Sequence, residues 1–98
     1  MPYAVHYLDR ADAGDVRQRH REAHIAYRKG LGDKLLLAGP LLSEDGKPVG
    51  SLVLLDAGSL SEAKNVAQSD PYAAAGLFDQ VLVHGYKIMA MNLVQSRG

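Results

Sequence analysis

The feature that most limits what this chain can become is the order of its patterned segments: strand, helix, strand, twice over, within 98 residues. Tyr3 to Leu8 is aromatic and β-branched, with Tyr3, Val5 and Tyr7 sharing a face at period two, which predicts a strand. Asp9 to Gly14 is small and polar, a loop that offers Asp12 or Asp15 as helix caps. Asp15 to Lys29 holds neither proline nor glycine, and Val16, His20, Ala23 and Tyr27 recur at the spacing of one helical face. Gly30 and Gly32 end that helix. Lys34 to Gly39 reads as a short strand closed by Gly39-Pro40.

The second half repeats the alternation. Ser43 to Pro48 is hairpin chemistry built around Asp45-Gly46, and Gly50 to Asp56 is the strand beyond it. Ala57 to Ser69 is helical, beginning either at Ser59, whose spacing to Glu62 has the form of a capping box, or at Ser61. Leu60, Ala63, Val66 and Ala67 share one face of it. Asp70-Pro71 opens a short extra turn through Leu77, with Asp70 as cap and Pro71 at the first position, where its missing N–H costs nothing. A last strand runs from about Gln80 to Met91, with Val81, Val83 and Gly85 on one side and Leu82, His84 and Tyr86 on the other.

This βαββαβ order, without an internal linker or a repeat, predicts a single domain over residues 1–98 with a ferredoxin-like α+β sandwich. Helices then cover one side of the sheet. Val5, Tyr7 and the alternating valines of the last strand suggest an apolar face on the other, which a second copy would cover, so a homodimer is expected.

Composition narrows the function classes. Eleven basic and eleven acidic side chains give a formal net charge of zero, which argues against a nucleic-acid partner. The chain has no cysteine, so disulfides, thiolate nucleophiles and cysteine-type metal sites are excluded, as suits a reducing cytoplasm. Met1 to Arg10 lacks the form of a signal peptide, and apolar runs such as Leu35 to Ala38 are too short to span a bilayer, so no membrane association is expected.

His20 and His24 stand four apart on the predicted helix, a spacing that suits a metal as well as two ordinary surface histidines. No HExxH pattern accompanies them and no third ligand is evident, so no metal is expected. His6 and His84 lie on strands and read as structural or exposed. Gly30-x-Gly32 lacks the third glycine of a dinucleotide fingerprint, and Gly39 to Gly46 is no phosphate loop.

Taken in order, Arg21-Glu22-Ala23-His24, Gly39-Pro40, Gly50-Ser51, Ser69-Asp70-Pro71-Tyr72, Ala75-Gly76-Leu77-Phe78 and the strand through Val81 and Val83 to Tyr86 resemble the YCII-related (YciI-like) family over nearly the whole chain. Two departures stand out: Glu22 replaces the proline of many relatives, and the hairpin from Ser43 to Val49 is brief. The resemblance implies the dimeric α/β-barrel form of the ferredoxin-like fold and a His–Asp pair in a pocket, carried here by His24 and Asp70. It also implies a polar residue near the start of the third strand, here Ser51. One relative is a dehydrochlorinase of a chlorinated hydroxyquinol.

The expectation is therefore a cofactor-free lyase or isomerase acting on a small molecule. In it His24 is the general acid/base, Asp70 orients the ring, Ser51 hydrogen-bonds the substrate, and Gly39 and Pro40 shape the pocket wall. The rival expectation is a non-catalytic dimeric module that binds a small metabolite or assists a partner. A haem- or metal-dependent oxygenase is a third, resting on the histidines alone.

Overall fold

The computed structural model describes residues 1–92; residues 93–98, the end of the expected domain, lie outside the described part. Strand β1 is Pro2–Asp9, helix α1 Gly14–Arg19 and helix α2 Arg21–Gly30, followed by a 3₁₀ turn at Gly32–Lys34. Then come β2 (Leu35–Leu42), β3 (Pro48–Asp56), α3 (Leu60–Gln68), α4 (Pro71–Ala74) and β4 (Phe78–Gly85). The strands form one antiparallel sheet in the order β2-β3-β1-β4, the ferredoxin-like arrangement expected from the segment order.

Alternation on the strands decides which residues meet the helices. Val5, Tyr7, Val53 and Leu55 are buried together with Ala67 of α3, and Val81 and Val83 of β4 pack against them. These side chains form the core. The expectation that Val5, Tyr7 and the β4 valines make the uncovered face is thus corrected. That face carries the alternate residues instead, where register aligns Leu52, His6 and Leu82 across three strands. Leu37, Leu52 and Leu82 are each more than two-fifths exposed there.

Strand β3 begins at Pro48, two residues before the expected Gly50, and three other boundaries differ more. The helix expected over Asp15 to Lys29 is broken at His20, whose backbone (φ −109°, ψ 10°) leaves the helical region. The break lets two anchors seat separately. Val16 of α1 joins Ala13, Tyr72 and Leu77 in one cluster, while Leu31 at the end of α2 packs on the main core. Neither Asp12 nor Asp15 caps α1; Ala13 occupies that position without a side-chain bond. Past the break, Ala23 is exposed, so the stripe through His20, Ala23 and Tyr27 is not the covered face.

Strand β2 continues through Gly39-Pro40 because it is an edge strand, where proline's missing donor leaves no ladder bond unmade. Strand β4 stops at Gly85 rather than Met91 because its partner runs out: Tyr3 faces Gly85, and Tyr86 N–H donates to the carbonyl of Pro2. The second-half helices begin as read, although Leu60 is exposed. Ser59 accepts from the N–H of Glu62, and the Glu62 carboxylate accepts from the N–H of Gly58. Among the described residues no helix is long and apolar enough to cross a membrane.

Tyr7 ties sheet to helix, its hydroxyl donating to the carbonyl of Ala67 at 3.1 Å. Burial, reinforced by the Asp70 carboxylate and opposed by Arg28, pushes this phenol well above its usual range. The folded state therefore keeps a proton that the unfolded chain loses above about pH 10, so this contribution is present below that pH and falls away above it. Tyr7→Phe should lower stability by about 1 kcal/mol at neutral pH, through the carbonyl it orphans, yet soften the alkaline decline. Urea midpoints measured from roughly pH 7 to 11 test this, and parallel declines in both proteins would exclude Tyr7 as a source.

Candidate functional site

A cleft of about 560 Å³ opens between α1, α2 and the β2–β3 hairpin end of the sheet, a size suited to a small molecule. His24, Gly39, Pro40 and Ser51 all line it. Asp70 lies just behind, almost wholly buried at 1% exposure.

Asp70 reaches this position because β-region backbone at residue 70 turns the chain out of α3 and into α4. One carboxylate oxygen accepts from Tyr72 N–H at 2.9 Å, the bond of a helix cap. The same carboxylate meets Nδ1 of His24 at 2.8 and 3.0 Å. Residues 46 apart in sequence are thus in contact. Capping and pairing are not alternatives here, since one side chain does both.

The imidazole is held from a second direction. Its ring stacks on Tyr72, with centroids 3.9 Å apart and planes 12° from parallel. With Nδ1 engaged by Asp70, the other nitrogen, Nε2, has no protein partner among the described residues. A histidine fixed by a carboxylate at Nδ1 presents Nε2 in one orientation, ready to accept or return a proton. Burial raises the Tyr72 phenol above its usual value despite the opposing Arg17 and Arg21 charges, so at neutral pH Tyr72 is an uncharged stacking partner.

Ser51 is buried at 6% exposure and already committed. Its hydroxyl donates to the carbonyl of Gly39 at 3.2 Å and accepts from the Arg28 guanidinium at 3.1 Å. Gly50 fixes its approach: a β-carbon there would lie 2.2 Å from the Tyr7 carbonyl oxygen, so only glycine lets β3 lie this close.

Sequence patterning passed over Arg28, Arg21 and Arg17. Residues 17, 21, 24 and 28 follow one another at helical spacings, and all four line the cleft. The row lies one residue removed from the stripe of Val16, His20, Ala23 and Tyr27. Arg28 stands 3.7 Å from Asp70, Arg17 makes a two-point bond to Asp9, and its guanidinium carbon lies 5.2 Å from the Tyr72 ring centroid. His20 caps the break and lines no part of the cleft, while His6 and His84 occupy the opposite face of the sheet. Among the described residues, no three of His, Asp and Glu gather as metal ligands would.

Comparison with known proteins agrees with this architecture. The family model described as the YCII-related domain matches residues 1–87. Protein YciI of Escherichia coli is 36% identical over 95 residues, covering 89% of this chain and 97% of that protein. A protein of Haemophilus influenzae is 34% identical with the same coverage. Among solved structures, 5-chloro-2-hydroxyhydroquinone dehydrochlorinase from Burkholderia phenoliruptrix, in complex with 2,5-dihydroxybenzoquinone, superposes with a TM-score of 0.81 at 30% identity. It covers 89% of this chain and 94% of its own. The Mycobacterium tuberculosis protein Rv0793 shares the fold at a TM-score of 0.51 and 17% identity, each chain covered in full.

Proposed function

The chain belongs to the YCII-related family, and from that premise we propose that it is a cofactor-independent lyase or isomerase moving a proton on a small molecule. The observation that carries this reading is the contact of His24 Nδ1 with the buried Asp70 carboxylate at the wall of a ligand-sized cleft. Nε2 takes a proton from a C–H or O–H group acidified by a neighbouring carbonyl or ring. The electron pair left behind either moves through the substrate and is reprotonated elsewhere, an isomerisation, or expels a leaving group as an anion, an elimination. Asp70 holds the ring and stabilises its charged form meanwhile. Ser51, with its proton committed to Gly39, offers the substrate only a lone pair, while Gly39 and Pro40 bound the space.

The solved relative that supports this reading carries out a dehydrochlorination, by its name an elimination, and its structure holds a quinone. Screening a panel of cyclic, halogenated and unhalogenated hydroxylated compounds, with His24→Ala protein as control, tests it. Turnover confined to the protein with an intact His24 supports proton transfer. Ligands that bind near His24 but never react would favour a metabolite-binding module.

A second copy is the natural cover for the sheet face bearing Leu37, Leu52 and Leu82. Sedimentation at micromolar concentration should give twice the chain mass of 10.6 kDa, and Leu52→Asp should shift it to one. A stable monomer that binds no hydrophobic dye would sink the dimer.

A further inference from the structure

Among the described residues, three arginines and one histidine line the cleft, and no aspartate or glutamate does. The whole chain is formally neutral, so this positive lining is local rather than a share of a general excess. The carboxylates nearest to it are already committed. Asp9 neutralises Arg17, accepting from both its Nε and a terminal nitrogen. Asp70 is bonded to His24 and Tyr72 N–H, and its other oxygen makes a longer ion pair with Arg28 Nε at 3.7 Å that engages one edge of the guanidinium. Arg28 is held in place by Ser51 at 3.1 Å, with guanidinium donors still unused. Arg21, exposed on the same helical face, has no carboxylate within ion-pair distance among the described residues.

Beside these charges lies an apolar recess of about 310 Å³, bounded by Ile25, Leu35 and Ala38 and touched by both His24 and Arg28. We propose that Arg21 and Arg28 form an anion subsite next to His24, and that the ligand is a small planar organic oxyanion with an apolar body. A carboxylate, or an enolate or phenolate, fits this description. This deepens the proton-transfer reading and rests on it only in taking the cleft as the working site. The planar fork of a guanidinium matches a planar oxyanion at two points, and a site without acids does not repel it. Charge delocalised onto such an oxygen as His24 removes a proton would be stabilised by the same two side chains. The apolar recess receives the ring or chain that carries the charge.

Nitrogen-15 NMR titration of the whole protein with benzoate, benzamide and inorganic phosphate tests the proposal. Benzoate should shift the amides of Gly39, Ser51 and Tyr72, and benzamide, the uncharged counterpart, should bind about tenfold more weakly or worse. Arg21→Gln should weaken benzoate about threefold or more. Arg28→Gln should weaken it about tenfold or more, leaving benzamide unchanged. Arg19→Gln, on an exposed arginine paired with Asp15 outside the cleft, should have no effect. Should Arg28→Gln fail to fold, the exposed Arg21 still decides. Absence of benzoate shifts at millimolar concentration, equal binding of benzamide, binding of phosphate in place of benzoate, or an equal loss from Arg19→Gln would each overturn the proposal. Turnover of neutral substrates without charge preference would overturn it and leave proton transfer standing. Arginine-dependent benzoate binding in a protein that turns over nothing would do the reverse.

Discussion

His24→Ala should lower turnover by about 10²- to 10⁴-fold, the range that a positioned proton-transfer group supplies. The loss should fall on kcat more than on KM, because Arg28, Ser51 and the cleft walls that hold a ligand remain. Stability should fall by less than the activity suggests. The Asp70 carboxylate loses one partner but keeps the N–H of Tyr72, and Arg28 has only a short distance to close from 3.7 Å. Steady-state kinetics beside thermal melting check both halves. Undiminished turnover in a folded His24→Ala protein would remove the imidazole from the mechanism.

Asp70 separates two roles that a single substitution usually confounds. Asp70→Asn keeps a cap, since asparagine also accepts from a backbone N–H, but gives up the negative charge. Melting temperature should change little while activity falls about tenfold or more, because a neutral amide neither fixes the imidazole tautomer nor stabilises its protonated form. Asp70→Ala removes both roles. The cap alone is worth about 1 kcal/mol, and leaving the mostly buried His24 and Arg28 with no acceptor at all, where the amide of asparagine would keep one, should bring the total to about 2–4 kcal/mol. Chemical denaturation of the two variants against the parent, with activity measured on the same samples, reads out the difference. An Asp70→Asn protein as active as the parent would leave capping as the residue's whole contribution.

The segment order was legible because each strand and helix declares itself through local patterning, and the ferredoxin-like sheet follows from connections that must cross on one side. What local pattern missed was set by distant partners. The break at His20 carries no proline or glycine; it arises where Val16 and Leu31 are drawn to separate clusters, a tertiary demand. The end of β4 is dictated by where β1 begins, 84 residues earlier for the Pro2 to Tyr86 bond. Which side of the sheet is covered also turns on the helices, because the apolar alternation of β1 and β4 shows that a face is buried but not what buries it. Within the site, His24, Asp70, Ser51, Gly39 and Pro40 could be named through the family resemblance and are gathered at one cleft. The arginine row could not, because charged residues on a helix ordinarily mean only a solvated surface.

The carboxylate of Asp70 is shared between a backbone amide and an imidazole, and this has a consequence for how such a protein drifts over time. A descendant that no longer performs chemistry still has to start α4, so selection for folding alone retains an acidic or amide residue ahead of Pro71. The Asp-Pro pair is therefore a record of architecture, and its presence in a descendant says nothing about whether that descendant carries out a reaction. Position 24 is where loss of use would first be written, since among the described residues no backbone group bonds to the side chain of His24.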